Sequence, residues 1–170
     1  MNRERKIIRN WLRFFVVSLL ISGATAIPVE QELTYVINHF PFEGSIKGWF
    51  EEVRVGIKNT SKNYPFLFYG YDWLAFAHFL FAILFMGPLR DPLKNKWVIE
   101  FGIIACVLIF PFAMIMGGVR GMPFWWRLID CSFGIIGAIP LIICLKNIKR
   151  LEAEEKAQPD KKEAFDLLIA

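Results

Sequence analysis

The stretch WVIEFGIIACVLIFPFAMIMGGV, Trp97 to Val119, holds one charged residue, Glu100, in 23 positions. At about 1.5 Å of rise per residue such a helix reaches roughly 34 Å, enough to cross the roughly 30 Å hydrocarbon layer of a bilayer. A helix packed on a soluble core keeps a polar stripe toward water, and this one has none. Pro111, in mid-stretch, removes a backbone donor and predicts a kink. The stretch reads as a membrane span, and that reading sets the fold class.

Three further spans follow on either side of it. Downstream, the short turn RGM leads to PFWWRLIDCSFGIIGAIPLIICL, a span at 123–145 with Pro140 inside it and Trp125 and Trp126 where an interfacial aromatic belt belongs. Upstream, the turn LRDPLKNK connects back to YDWLAFAHFLFAILFMG, a span over 71–88. At the start a basic head, MNRERKIIRNWLR, runs into FFVVSLLISGATAI, giving a first span over 11–27. The same head, the apolar run and Ala24-Thr25-Ala26 also spell a cleavable signal peptide. An uncleaved helix is the expectation, because a four-span bundle needs this partner and no other segment replaces it.

Charge sets the orientation. The basic head, the group Arg90, Lys94 and Lys96, and the group Lys146, Lys149 and Arg150 fall on one side only if both termini are cytoplasmic. The chain is 55% hydrophobic in blocks, which places it in the membrane class. A net charge of +4 clustered at span ends follows the positive-inside pattern and does not suggest a nucleic-acid partner. The fold class is therefore an all-α membrane protein with four transmembrane helices. Residues 1–151 form one membrane domain and 152–170 a charged cytoplasmic tail.

The outer loop, 28–70, is expected to be structured. Leu33, Val36, Ile37 and Phe40 recur at helical spacing after Pro28, a good first-turn residue. Ile46, Trp49, Phe50, Val53 and Ile57 form a second apolar stripe, with Glu51, Glu52, Arg54 and Lys58 off it and Ser45 as N-cap. These are two amphipathic helices, lying on the outer surface or capping the bundle. Asn59-Thr60-Ser61 fits a glycosylation sequon, a weak signal.

Polar groups inside the spans are the candidate site. His78 lies seven residues beyond Tyr71, and Asp130 seven beyond Pro123. Both sit about 10 Å below the outer surface, on different helices. A His78–Asp130 pair and a shallower Asp72–Arg127 pair are thus expected, with Ser22 and Thr25 lining the same outer chamber. Arg127 and Asp130, at i and i+3, have the alternative of satisfying one another. On the inner side Arg13 and Glu100 lie at similar depth and are expected to form a structural bridge. Gly134, Gly137 and Ala138 mark a close-packing seam, and Gly117, Gly118 and Gly121 serve the tight outer turn.

Several chemistries lack their residues. There is no HExxH, GxSxG or phosphate-binding glycine loop. Cys106, Cys131 and Cys144 form no CxxC and read as small buried hydrophobes, so no metal or redox pair is expected. A bis-histidine haem would need His39 of the outer loop to reach inward, and no cofactor is expected.

The strings YGYDWLAFAHFLFA, GPLRDPLKNKWVIEFGIIAC and VRGMPFWWRLIDCSFG resemble small four-span proteins of the bacterial inner membrane that have no assigned activity; the resemblance covers roughly residues 64–151. It implies a bacterial inner-membrane location and an outer-facing polar cluster of Asp72, His78, Arg127 and Asp130. The layout is also distantly similar to the sterol-isomerase type of four-helix membrane fold, in the folded segment between the first two spans.

The expected function is that of a binding or accessory protein. Its partners would be the lipid bilayer and a small amphiphile, lipid or membrane protein, held by His78, Asp130, Asp72, Arg127, Ser22 and Thr25. The alternatives are an enzyme on a lipid-soluble substrate, with His78 as acid/base and Asp130 orienting it, and a purely structural subunit.

Overall fold

The computed structural model describes residues 3–157, all helix and connecting turn, with no strand among the described residues. The elements are α1 (Arg3–Ala26), α2 (Val29–His39), α3 (Gly44–Asn63), a 3-10 turn (Pro65–Phe68), α4 (Tyr69–Leu84), α5 (Met86–Arg90), α6 (Lys96–Val119) and α7 (Phe124–Ala157). Four stretches are long and apolar enough to cross a membrane: Arg3–Ala26, Pro65–Arg90, Lys96–Val119 and Phe124–Ala157. Their large apolar side chains are turned outward to an extent water does not tolerate. On α6 alone Trp97, Ile104, Val107, Leu108, Phe112, Ile115 and Val119 are each more than half exposed. In lipid that surface is ordinary, and the helices satisfy their own backbone groups. The chain is an all-α membrane protein.

Each expected span begins or ends a little away from its sequence boundary. α1 already includes the basic head, because Arg and Lys are good helix formers and nothing there breaks the helix. Pro65 at the first position of the 3-10 turn starts the second span six residues before Tyr71. α7 continues through Lys146 to Ala157, a 34-residue helix about 51 Å long by its rise per residue, so its last turns outrun the hydrocarbon. α6 and α7 each run through their internal proline without ending.

The chain divides into two compact units, residues 17–83 and residues 3–16 with 84–157. In the second, here the terminal unit, the core is a set of helical stripes. Ile8, Leu12 and Val16 come from α1, Val98, Ile99, Cys106 and Ala113 from α6, and Cys131, Leu141, Cys144, Ile148 and Leu151 from α7. Spacings of three, four and seven residues put most of each set on one helix face. Glycines bring α6 and α7 together. A Cβ at Gly134 would lie 2.6 Å from the Cys106 carbonyl oxygen, and one at Gly137 3.0 Å from the Cys106 sulfur. At Gly102 it would meet Leu141 and Phe85, each at 2.7 Å. Lipid tails supply no hydrophobic drive between helices, so close backbone approach is what holds this seam. The cysteines are free and buried, and Cys144 donates a long bond, 3.6 Å, to the Ile8 carbonyl.

The α6–α7 turn is a Schellman cap. Met122 N–H donates to the Gly117 carbonyl at 2.8 Å and Gly121 N–H to that of Gly118 at 3.2 Å, with Gly121 at φ +69°. Gly121 therefore serves the turn, as its position suggests. Gly117 does something else: a Cβ there would lie 2.7 Å from both Cγ and Cδ of Arg127. Its missing side chain leaves room for the arginine stem.

The middle unit, 17–83, is thinly packed. Ala75 and Ala82 are its buried hydrophobic residues, with Gly23 buried beside them. A Cβ at Gly23 would meet Phe79, the Ala75 carbonyl and the His78 Cβ at 2.9–3.0 Å, so α1 and α4 touch closely there. α2 and α3 have no buried residue. Phe42, between them, stacks on Phe50 at 4.5 Å. Two capping expectations change. Pro28 stands at the N-cap of α2 and not in its first turn. Glu43, not Ser45, precedes α3, because Gly44 at φ +57° lets the chain enter the helix earlier.

Candidate functional site

His78 and Asp72 are carried by α4, Ser22 and Thr25 by the end of α1, and all four belong to the middle unit. His78 is half-buried, one turn after Ala75 and against the Gly23 seam. Its Nδ1 lies 2.8 Å from the Leu74 carbonyl oxygen. A carbonyl only accepts, so Nδ1 carries the proton and donates, and in the neutral ring Nε2 keeps its lone pair. Helix geometry imposes this: residue i−4 presents its carbonyl to the side chain at i. Thr25 turns its hydroxyl onto the Ser22 carbonyl at 3.2 Å, and both residues are exposed.

Asp72 stands in the first turn of α4, where a negative charge suits the helix dipole. Together with Tyr69, Trp73 and Phe76 it lines an open groove of about 200 Å³. These four residues fall at i, i+3, i+4 and i+7, one face of the helix. Trp73 meets Tyr69 at 6.0 Å and Phe76 at 5.7 Å between ring centroids, both nearly perpendicular. Sequence reasoning named Asp72 but missed its aromatic neighbours, although their spacing is visible in the string YGYDWLAF.

Arg127 and Asp130 belong to the terminal unit. Arg127 donates from Nε to the Met122 carbonyl at 2.9 Å, and its guanidinium carbon lies 5.9 Å from the centre of the Phe124 ring. With its stem on Gly117, the side chain is turned back toward the α6–α7 turn, and no ion pair joins it to Asp130 within that unit. The i,i+3 alternative is therefore not taken. Asp130 is half-buried and takes neither a hydrogen bond nor an ion pair from its own unit. The pairings expected for His78 with Asp130 and for Asp72 with Arg127 would each join a residue of one unit to a residue of the other.

Arg13 and Glu100, both in the terminal unit, are exposed, and no ion pair between them is present there. Two other links occupy the same end of the helices. Lys96 donates to both carboxylate oxygens of Glu152 at 2.9 Å, and Arg5 approaches Glu155 at 3.7 Å. Both partners lie on the part of α7 beyond Leu145, more than fifty residues from Lys96 in the chain. Asn147, also missed in the sequence, is buried and donates to the Ile143 carbonyl at 2.7 Å. Arg9 Nε and Trp49 Nε1 are buried without a hydrogen-bond partner among the described residues.

Among the described residues no three His, Cys, Asp or Glu side chains converge as metal ligands. His39 is exposed, donating from Nδ1 to the Tyr35 carbonyl at 2.9 Å and stacked on the Tyr35 ring at 4.0 Å.

Compared with models of known protein families, with curated proteins and with solved structures, the chain matches none. The resemblance of its spans to bacterial inner-membrane proteins gains no independent support from this. Helices and sites together define a small all-α membrane protein with polar groups set into its spans.

Proposed function

We propose that this chain is a non-enzymatic binding or accessory protein of the bacterial inner membrane, both termini cytoplasmic. His78, Asp130, Asp72, Arg127, Ser22 and Thr25 would take a small amphiphile, lipid or membrane-protein partner from the outer side. The carrying observation is the placement of His78: its Nδ1 donates to the Leu74 carbonyl, and its Nε2 makes no hydrogen bond within its unit, in a membrane helix. Asp130, half-buried without a partner in its unit, adds a second uncompensated polar group. Polar groups at membrane depth are costly, and a bound polar headgroup or partner would satisfy them. The orientation rests on Lys and Arg gathering at the span ends that share the two termini.

The test is native mass spectrometry of the purified full-length protein, with the retained lipid or small molecule identified. His78→Ala and Asp130→Asn should leave thermal stability nearly unchanged and reduce the retained species. A wild-type protein carrying no lipid or small molecule, with both variants losing stability, would overturn the reading in favour of a purely structural subunit. An acid/base enzyme is the second reading, favoured by the same uncommitted Nε2; it predicts product loss in His78→Ala with folding intact.

A further inference from the structure

We propose that the groove on the first two turns of α4 is a site for the ammonium headgroup of a membrane lipid; this rests on the binding function above. The lining is aromatic and almost wholly apolar, and Asp72 stands exposed on the same helix face beside the rings. Tyr69, Trp73 and Phe76 are 63%, 55% and 47% exposed, so their rings are open to a ligand, and Asp72 is exposed among them. Aromatic faces attract cations through their quadrupole, Trp most strongly. A carboxylate beside them supplies the opposite charge. Asp72 makes no hydrogen bond or ion pair within its unit, so its charge is not already neutralised there. Placement in the first turn of α4 would by itself suit the helix dipole, and an isolated acid there would mean little. The aromatic walls at i−3, i+1 and i+4 are what make it a recognition site.

The geometry favours a lipid over a soluble amine. The face that begins with Tyr69, Trp73 and Phe76 continues with Leu80 and Ile83, 49% and 66% exposed. These five positions, at alternating spacings of four and three, form a single stripe along α4. It runs about 21 Å from Tyr69 to Ile83 by helix rise, longer than the roughly 15 Å of one leaflet's hydrocarbon. A lipid whose ammonium sits at Asp72 and Trp73 would lay an acyl chain over Phe76, Leu80 and Ile83. Asp72 lies in the first turn of α4, seven residues after Pro65, where the span begins, so a headgroup there would sit toward that end of the span.

The experiment compares lipids that differ only in headgroup. Full-length protein in detergent is titrated with dioleoyl phosphatidylethanolamine, phosphatidylcholine and phosphatidylglycerol, and the retained lipid is read by native mass spectrometry. The first two should be retained over the third by about fivefold, the scale of a cation–π contact. Asp72→Asn should abolish the preference and Asp72→Glu should restore most of it, with circular dichroism confirming helix content in each. A wild-type protein that binds all three lipids equally would overturn the proposal, and that comparison needs no variant to fold. An undiminished preference in Asp72→Asn would also overturn it, as would displacement by free choline at equal concentration. Any of these leaves the broader binding function standing; a wild-type protein that retains no lipid or amphiphile defeats this proposal, and defeats both if His78→Ala and Asp130→Asn also lose stability.

Discussion

The terminal unit and the middle unit are built from similar apolar residues but are held in different ways. In the terminal unit, glycines on α6 and α7 remove the side chains that would keep two backbones apart, and stripes from three helices close over the gap. In the middle unit α2 and α3 bury nothing, and close approach is confined to Gly23, where the end of α1 meets α4. Protein interiors forgive little change where packing is dense and much where it is thin. Of the six candidate binding groups, His78, Asp72, Ser22 and Thr25 belong to the middle unit, with the aromatic groove, and Arg127 and Asp130 to the terminal unit.

That contrast breaks most directly at Gly134. An added methyl would lie 2.6 Å from a backbone oxygen of Cys106, which cannot swing away as a side chain can. Gly134→Ala should therefore force α6 and α7 apart and cost about 1–3 kcal/mol, the range of an overpacked core. Thermal unfolding in detergent measures it. An unchanged Tm would mean that the seam is loose and the contrast wrong.

A smaller effect is expected at Gly117, where the obstacle is a flexible side chain. Gly117→Ala would push Arg127 off its stem position and cost the bond from Nε to the Met122 carbonyl, about 1 kcal/mol. Because both changes remove one arrangement, Gly117→Ala combined with Arg127→Met should cost less than the sum of the two singles. Additive costs would show that the glycine does not serve the arginine.

The sign should reverse in the middle unit. Gly48 and Gly56 lie within α3, neither has a positive φ, and an added Cβ at either would meet nothing within 4 Å. Gly48→Ala and Gly56→Ala should stabilise by about 0.5–1 kcal/mol each through helix propensity. If either destabilises, α3 has a closely approaching neighbour.

What could be read from the sequence follows from the range of the interactions concerned. Span length and uninterrupted apolar character are local properties, so the four crossings were visible in strings such as residues 97–119. Gly134 and Gly137 could be recognised as a seam because small residues at helical spacing have few other uses in lipid. The role of Gly117 was not visible, since Arg127 reaches it across a turn whose Schellman geometry only the folded chain displays. Lys96 with Glu152 joins residues from separate helices, and the sequence offered Arg13 and Glu100 as an equally reasonable bridge. The tautomer of His78 is local to one helix turn, whereas a partner for its Nε2 depends on how helices meet. The groove at Tyr69, Asp72, Trp73 and Phe76 was in plain view as spacing, but aromatics at a span end also serve as interfacial anchors.

The finest comparison concerns how each unit turns its chain. The middle unit enters α3 through Gly44, and the terminal unit passes from α5 to α6 through a turn held by the Asp91 side chain; neither helix has a side-chain cap bond at its N-cap. Asp91 Oδ1 accepts from the backbone N–H groups of Leu93 and Lys94, each at 3.2 Å. The Lys94 backbone N–H is the main reason its carboxyl lies below the ordinary value of 3.8, with desolvation opposing it and the Lys94 ammonium and Leu93 N–H adding to it. A carboxyl whose pKa falls on folding binds fewer protons folded than unfolded. Its contribution is therefore complete above pH 3.8 and fades as pH falls through the lowered folded value. Asp91→Asn keeps an acceptor oxygen and loses the charge, so wild type should hold a small Tm advantage near pH 6. Asp91 is partly exposed, and salt should shrink that advantage. A Tm gap that narrows as pH falls below 3.8 would assign the turn's stability to the ionised acid. A gap independent of pH would mean that the loop is held by the donors of Asn95, which bond the Gly87 and Asp91 carbonyls at 3.3 and 2.9 Å whatever the charge on Asp91.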